Sequence, residues 1–477
     1  MRSISVVASL AVLAVGLLAV SANESAGENP PSAASQPPLV VHEWGTFTNF
    51  SGSDGVQLEF RPLAHGDLPA FVQNCMDKWG LSFRKGRLSA FQRMETPVTY
   101  FYTPVERDVQ VRVSFPEGLL TEFYPPVTAM TPARPNDQVT FFSWPGQSPA
   151  GIPLKDSALD WGTVHLIPIE QLTTQVDDPV LAKSMGRFLA KQLVPDATPF
   201  PHYVHARDTD SALVNVHFEG KDRDEDYFEK FLFYRGLGNF QLPLKLEAHG
   251  EGDYRLTNGG PEAIRSLFLV SISGKNANDV RFRQYDRIDA GGELTLTEGA
   301  QTTDVQALAE AMAQALVAEG LYRKEADAMV NSWKDSWFKE PGTRLLYMVP
   351  PRITDELLPL DVQPQPDEVV RVLVGRMEIM SPEDEKQILE LVQRSAAAHA
   401  AFHALTKAES SAAADEARQD RKAAFEELLA LGRLAEPALV RARSISPDAA
   451  SRDEAAQLIG ELRAHFEKQS GRRQVNR

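Results

Sequence analysis

The chain has 477 residues, of which 43% are hydrophobic and 24% charged, and its formal net charge is −16. A chain of this length usually divides into roughly two to four domains, and its ordinary apolar content argues against global disorder. The acidic balance argues against a nucleic-acid-binding protein, which needs a basic face to neutralise phosphates, and against electrostatic docking on anionic lipids.

The first 38 residues carry an export pattern. Arg2 is followed by an uninterrupted apolar run over residues 10–20, and small residues at 20–22 offer a cleavage site, which predicts a signal peptide over residues 1–22. The run is shorter than the roughly 20 residues that a membrane span needs. Residues 23–38 are rich in Pro, Ser and Ala and predict a disordered linker. We expect a periplasmic or extracellular protein with no stable membrane insertion after signal cleavage.

Cys75 is the only cysteine, so no intramolecular disulfide can form. It lies in an apolar stripe with helical spacing over residues 67–79, which favours a buried structural thiol over a nucleophile.

Residues 39–300 predict a β-rich body. Short β-branched and aromatic runs are separated by Gly, Pro and Asp, and only two predicted helices, 67–79 and 178–193, interrupt them. The predicted strands cover 39–48, 55–62, 96–103, 108–115, 138–144, 161–169, 202–207, 211–218, 228–235, 242–249 and 263–273. In 108–115, valines alternate with polar residues, which is typical of an antiparallel strand with one exposed face. Many short strands without βα alternation predict a sandwich-like, mainly antiparallel architecture.

Residues 301–380 combine a helical insertion with strands that complete the body. Two helices over 303–337, joined at Gly320, are expected to pack on the sheet, and a strand pair at 343–349 and 368–378 follows. The predicted fold class is therefore α+β, with a β-rich body, helical insertions and an all-helical C-terminal appendage over 381–477.

The appendage opens with Ser381 as N-cap and Pro382 at the first helical position, followed by acidic residues that suit the helix dipole. Its stretch "FEELLALGRLAEPALVRARSISPDAASRDEAAQLIGELR" resembles a single HEAT-type helical hairpin, and one such repeat cannot form a solenoid. Two interpretations stay open. Residues 381–477 either fold back on the body or bind a protein partner.

The stretch "VVHEWGTFTNFSGSDGVQLEF" places a histidine beside a glutamate. On a strand, His42 and Glu43 point to opposite faces, so we do not expect them to bind one ion together. The residues "SGSDG" predict a turn, which makes the stretch the opening hairpin of the body, returning through "VQLEF". Either His42 or Glu43 alone remains a candidate for a site that later strands build.

Glu95 precedes an aromatic strand in "FQRMETPVTYFYTP", where Tyr100 and Tyr102 share one face. A carboxylate at the mouth of such a strand suits a general acid or a sugar-binding platform. It equally suits a structural pair, with Arg235 as a natural partner, because a buried charge must be paired.

The stretch "PFPHYVHARDTD" predicts a polar strand on which His205 and Arg207 share one face, and Asp208 and Asp210 the other. These side chains suit a polar site where two sheets meet, although base rates favour an ordinary exposed sheet face. The sequence contains no His-Glu-x-x-His, no cysteine pair and no calcium loop, so we predict neither a metal site nor a cofactor.

Several long stretches together resemble a family of exported bacterial proteins of unknown function. They are "VHEWGTFTNFSGSDG", "DLPAFV", "RMETPVTYFY", "FLFYRGLGNF" and "VRVLVGRMEIMSPEDE", and they run from about Val41 to Glu385. The resemblance implies export and supplies no activity, cofactor, partner or catalytic residue.

Two functions from different classes follow, and whether the protein is an enzyme is left open. The first is a ligand-binding, surface-binding or scaffold protein with a helical interaction appendage. The alternative is a hydrolase of an extracellular polymer, which would use carboxylates and histidine in a cleft between sheets. Its catalytic candidates are His42, Glu43, Glu95, His205, Arg207 and Asp210.

Overall fold

The fold comes from a computed structural model that describes residues 37–61, 68–69, 71–74, 88–132, 154–170, 200–218, 225–250, 252–273, 279–405 and 411–475. The predicted signal peptide, nearly all of the predicted linker, the strand at 138–144, the helix at 178–193 and Cys75 lie outside these residues. Within them, no helix combines the length and apolar character needed to cross a membrane.

The described residues form 18 strands. In chain order they are β1 (Val40–Ser51), β2 (Gln73–Asn74), β3 (Gln92–Tyr102), β4 (Arg107–Phe115), β5 (Gly118–Tyr124), β6 (Ala129–Thr131), β7 (Ser157–Ile167), β8 (Leu213–Phe218), β9 (Glu225–Glu229), β10 (Leu232–Gly238), β11 (Leu244–Ala248), β12 (Asp253–Asn258), β13 (Ile264–Ser273), β14 (Asp279–Ile288), β15 (Glu293–Thr297), β16 (Gly342–Val349), β17 (Leu360–Gln363) and β18 (Glu368–Ile379).

Eight α-helices occur in the same residues. They are α1 (Pro201–Val204), α2 (Val305–Ala318), α3 (Arg323–Phe338), α4 (Pro351–Leu357), α5 (Pro382–Leu405), α6 (Ser411–Ala430), α7 (Ala435–Ile445) and α8 (Ala449–Val475).

The strands form three sheets. The large sheet has nine strands in the order β14-β13-β16-β18-β1-β3-β10-β5-β2. The second sheet has six strands, with the order β17-β4-β7-β8-β9 and β6 paired to β7, and the third has the order β11-β12-β15. Among the described pairs, β1 and β18 run parallel and the others are antiparallel, which confirms the mainly antiparallel prediction.

Two hydrophobic layers flank the large sheet. On one face, residues such as Phe47 and Tyr347 share a core with Trp161 of the second sheet and Leu256 of the third. The opposite face packs on α2 and α3 through residues such as Trp333. The expectation that the helices over 303–337 pack on the sheet is therefore confirmed, and the body has three layers: small sheets, large sheet and helices.

Two predicted strands differ from the structure. Residues 202–207 form α1 and a short 3₁₀ turn, because Pro201 has the fixed φ that suits a first helical turn, and Tyr203 and Ala206, three residues apart, are both buried. The predicted strand 228–235 divides at residues 230–231, so β9 belongs to the second sheet and β10 to the large one.

The predicted opening hairpin is also wrong in its second strand. A tight turn does form, with the Gly55 amide donating to the Gly52 carbonyl at 2.9 Å. The residues that follow contribute only isolated bridges, such as the one between Ser51 and Gln57. The reason is that β3 and β18 occupy both edges of β1 as far as Thr48, so only its last three residues have an edge for a returning strand.

The helices α5–α8 form an all-helical C-terminal appendage, as predicted. They have their own core, which includes Val392, Leu439 and Leu458. The appendage also contacts the body, because Leu434 packs on a small cluster that contains Phe50.

Candidate functional site

Four of the five long stretches quoted above meet at the centre of the large sheet. They lie on β18, β1, β3 and β10, which are consecutive neighbours in that order. Alternation along β1 places Glu43 toward the second sheet and His42 toward the helices, on opposite faces as predicted. Most of the charged side chains on these strands are buried, so their partners decide what they can do.

Glu43 lies in a closed set of hydrogen bonds between the large and second sheets. Arg371 of β18 donates to Glu43 Oε2 from Nη2 at 2.6 Å and from Nε at 2.8 Å. The hydroxyls of Tyr234 and Thr99 donate to Oε1 at 2.5 Å and 2.9 Å. Burial, followed by the Glu43 charge, raises the pKa of Tyr234 and keeps its hydroxyl a donor. Both carboxylate oxygens are thus engaged, and the group ties the four strands β1, β3, β10 and β18 together.

His42 is held by the first turn of α3. Its Nδ1 lies 2.8 Å from Oε2 of the fully buried Glu325. The same carboxylate accepts hydrogen bonds from the Tyr102 hydroxyl at 2.7 Å and from the Tyr322 backbone amide at 2.7 Å. Glu325 is therefore the capping residue of α3, and His42 fixes the helix on the sheet.

Glu95 is paired as well. Arg93 Nε lies 2.8 Å from its Oε1, and the Thr48 hydroxyl donates to its Oε2 at 3.0 Å. Burial alone would raise the pKa of Glu95, but the charges of Arg93 and Arg235 outweigh it and hold that pKa below its usual range. The carboxylate stays ionised at neutral pH, whereas a general acid must be protonated there. The sequence offered Arg235 as the partner of Glu95, whereas the ion pair that the structure gives is with Arg93.

A further buried carboxylate, that of Glu378 on β18, is bound by residues of both the body and the appendage. It accepts hydrogen bonds from Arg376 Nε at 2.7 Å, from Arg433 Nη2 at 2.6 Å and from Arg344 Nε at 3.3 Å. Burial would raise the pKa of Glu378, but these guanidinium groups lower it strongly. Burial also lowers the pKa of Arg344 to about 10. This cluster fixes the appendage to the body, since Arg433 precedes α7.

Arg207 of the segment after α1 forms a buried pair with β9. It donates from Nη2 at 2.7 Å and from Nε at 3.0 Å to Glu229, which also accepts from the Tyr203 hydroxyl at 3.0 Å. His205 Nδ1 lies 3.4 Å from Asp208 Oδ2 at the surface.

Asp210 is exposed and accepts from Lys324 Nζ of α3 at 2.6 Å. Arg207, Asp208 and Lys324 line a shallow depression of about 350 Å³. The candidates therefore do not meet in one site. His42, Glu43 and Glu95 lie in separate buried hydrogen-bond sets, and of the other three only Arg207 lines the depression.

The sequence reasoning missed a polar surface on the second sheet. Polar residues alternate with buried ones on β7 and β8, so Thr163, His165, Asn215 and His217 all point away from the core. With Thr128 and Phe218 they line a depression of about 510 Å³. We call these six residues the polar face. The alternation "TVHLI" at 163–167 and "VNVHF" at 214–218 was the signal that could have located it.

Carboxylates and amides on the neighbouring strands hold the polar face in place. Asp108 Oδ1 lies 2.7 Å from His165 Nδ1, and Asp226 Oδ1 lies 3.0 Å from His217 Nδ1. Asp108 and Asp226 stand directly opposite these histidines in the strand register. The Gln110 amide donates to the Thr163 hydroxyl at 2.7 Å. Both histidines remain accessible, with 39% and 54% of their side chains exposed.

In the part of the chain that the structure describes, no group of three or more His, Cys, Asp or Glu side chains is arranged to hold a metal ion. Neither a family model nor a curated protein matches the chain.

Proposed function

We propose that this protein is an exported binding protein whose polar face takes up a neutral, hydroxyl-rich ligand such as a segment of polysaccharide. The observation that carries the proposal is the accessible depression of about 510 Å³ on the second sheet, lined by side-chain amide, hydroxyl and imidazole groups. A ligand that is rich in hydroxyl groups both donates and accepts, and these three side-chain types do the same.

The surrounding charge argues for a neutral ligand. Asp108 and Asp226 pair with the two histidines, and Glu106 Oε2 lies 3.7 Å from His165 Nε2. The described lining residues include no lysine or arginine that would attract an anion. An acidic polymer would therefore be repelled, whereas a neutral glycan would not.

The polar face offers a ligand both an apolar ring surface and a side-chain amide. Phe218 lines the depression, where it can cover the apolar face of a sugar ring. The side chain of Asn215 also lines the depression, and its amide group can donate to a ligand hydroxyl. The strands hold these groups rigidly, which lowers the entropy cost of binding.

The hydrolase hypothesis receives less support from the same geometry. It requires accessible carboxylates that share one cavity. Glu43 and Glu95 are buried and paired to arginines, and they belong to separate hydrogen-bond sets. We infer that these residues stabilise the sheet and that binding is the function of the exposed surface.

We further propose that the appendage, residues 381–477, provides a second binding surface and that this surface binds a protein partner. The pairing of Arg433 with Glu378 would hold this surface in a fixed orientation to the polar face.

We also propose that the protein is exported and that its signal peptide is cleaved near residue 22. The mass of the mature protein recovered from its host would test this cleavage.

Affinity electrophoresis tests ligand binding by the full mature chain. Native gels would contain a soluble β-glucan, a xylan or a galactomannan, and polygalacturonate would serve as the acidic comparison. We expect retardation by at least one neutral polymer and none by polygalacturonate. His165→Ala and Asn215→Ala should each weaken binding roughly fivefold, which corresponds to one lost hydrogen bond.

Gln363→Ala is the matched control, because Gln363 is exposed on β17 of the same sheet and does not line the depression. It should leave the retardation unchanged. Equal mobility of the wild type in all neutral gels, or equal loss in the control and the polar-face variants, would overturn the proposal.

A further inference from the structure

Two histidines stand one turn apart on α5. His399 and His403 have i,i+4 spacing, which places them on the same side of the helix. Their Nε2 atoms are 2.9 Å apart, and their ring centroids are 4.7 Å apart. Both line a groove of about 360 Å³ that α6 and α8 complete.

A buried carboxylate orients the first of these rings. His399 Nδ1 lies 2.8 Å from Oε2 of Glu454 on α8, a side chain that is only 3% exposed. The other oxygen of Glu454 accepts from the Ser395 hydroxyl at 2.6 Å and from Arg421 Nε at 3.2 Å. An ionised carboxylate can only accept, so Nδ1 of His399 carries the hydrogen and Nε2 presents its lone pair. Metal-bound histidines are oriented by this same kind of carboxylate contact.

We propose that His399 and His403 chelate a divalent transition-metal ion, with Cu²⁺ preferred. Metal–nitrogen bonds of about 2.0–2.1 Å place two ligands about 2.9 Å apart at a right angle and about 3.3 Å apart at a tetrahedral angle. The observed separation of 2.9 Å suits adjacent positions of a square-planar ion. Cu²⁺ favours that geometry and binds nitrogen ligands most tightly among the divalent first-row metals. Water completes the coordination, so the site has two protein ligands.

Without metal, the same two atoms share a hydrogen bond. His399 Nε2 accepts, so His403 Nε2 carries the hydrogen that it donates. Binding of the ion forms two nitrogen–metal bonds and displaces that single proton to solvent. No oxidant or reductant is needed.

The charge around the groove does not oppose a cation, although three basic side chains line it. Each of them is paired with a carboxylate: Arg421 with Glu454 and Glu461, Arg418 with Asp415, and Lys422 with Glu426. The three positive charges that line the groove are therefore each neutralised by a paired carboxylate.

The site can be tested by titrating the untagged full chain with Cu²⁺ alone. Calorimetry should give one tight equivalent per chain, and electron paramagnetic resonance should report two equatorial nitrogens. His403→Ala should weaken this equivalent at least tenfold while leaving the Glu454–His399 pair in place. Glu454→Gln, which changes only the orienting group, should weaken it roughly 10- to 100-fold.

His249→Ala is the matched control, since it removes one exposed imidazole far along the chain from α5. It should bind Cu²⁺ like the wild type, and circular dichroism should show the same helix content in all variants. Absence of a tight equivalent in the wild type, or identical Cu²⁺ affinity in His403→Ala, would overturn the site. Neither outcome bears on glycan binding, which involves the polar face of the second sheet and not these helices.

Discussion

Substitution of Arg371 tests whether Glu43 is a structural residue. In Arg371→Met, Glu43 keeps the hydroxyls of Tyr234 and Thr99 but loses two charge-assisted hydrogen bonds of 2.6 Å and 2.8 Å. The carboxylate is fully buried, so water cannot replace the guanidinium. Removing one partner of a buried ion pair costs about 3–5 kcal/mol. That is at least about a fifth of the 5–15 kcal/mol by which most domains are stable.

Urea unfolding, followed through the buried tryptophans, provides the measurement. Asp355→Asn is the control, because Asp355 accepts from the same arginine at 2.9 Å but is 63% exposed. Loss of the Asp355 charge should lower the free energy of unfolding by less than about 1 kcal/mol. The double variant Glu43→Gln/Arg371→Met should be more stable than the sum of the two single effects predicts, because no uncompensated charge remains.

Two results would contradict a structural role for Glu43. Equal and small effects of Arg371→Met and Asp355→Asn would show that burial adds nothing to the Glu43 pair. A Glu43→Gln variant of unchanged stability that had lost a hydrolytic activity would return Glu43 to the role of a catalytic residue.

Three further predictions concern acid stability, backbone strain and the appendage. The pKa of Glu378 lies below its usual 4.5, so its contribution is present above pH 4.5 and is lost as the pH falls through the folded-state value. The free energy of unfolding should therefore fall below pH 4.5, and Glu378→Gln should flatten this fall in urea titrations across the acid range. Ser266 has a φ of 52° in β13, so Ser266→Gly should raise stability by roughly 0.5–1 kcal/mol in thermal unfolding, whereas Ser266→Val should lower it. Deletion of residues 381–477 removes Arg433 from Glu378 and should lower the melting temperature of the body, and a body that melts unchanged would contradict the described cluster.

The strand β1 illustrates what the sequence could predict. The two-residue period of a strand placed His42 and Glu43 on opposite faces without any knowledge of the fold. Their partners could not be predicted, because Glu325 is 283 residues from His42 and Arg371 is 328 residues from Glu43. A local pattern contains no information about pairing at such separations.

The errors in secondary structure have the same origin. Residues 228–235 have uniform strand character, yet the chain passes from one sheet to another at residues 230–231. Residues 202–207 have a strand-like composition, but the burial of Tyr203 and Ala206 stabilises a helical turn there. Tertiary packing overrides local propensity in both segments.

The polar face could be predicted only in part. Alternation identifies Thr163, His165, Asn215 and His217 as residues of exposed faces. Their assembly into one depression depends on the register that places His165 opposite Asn215, which is a property of the folded sheet.

The most direct test of ligand binding by the polar face is the retardation of Asn215→Ala in a native gel that contains the neutral polysaccharide bound by the wild type. We expect Asn215→Ala to lose about fivefold in affinity and Gln363→Ala, on the same sheet, to bind as the wild type does. Equal retardation of Asn215→Ala and the wild type would contradict the assignment of ligand binding to the polar face.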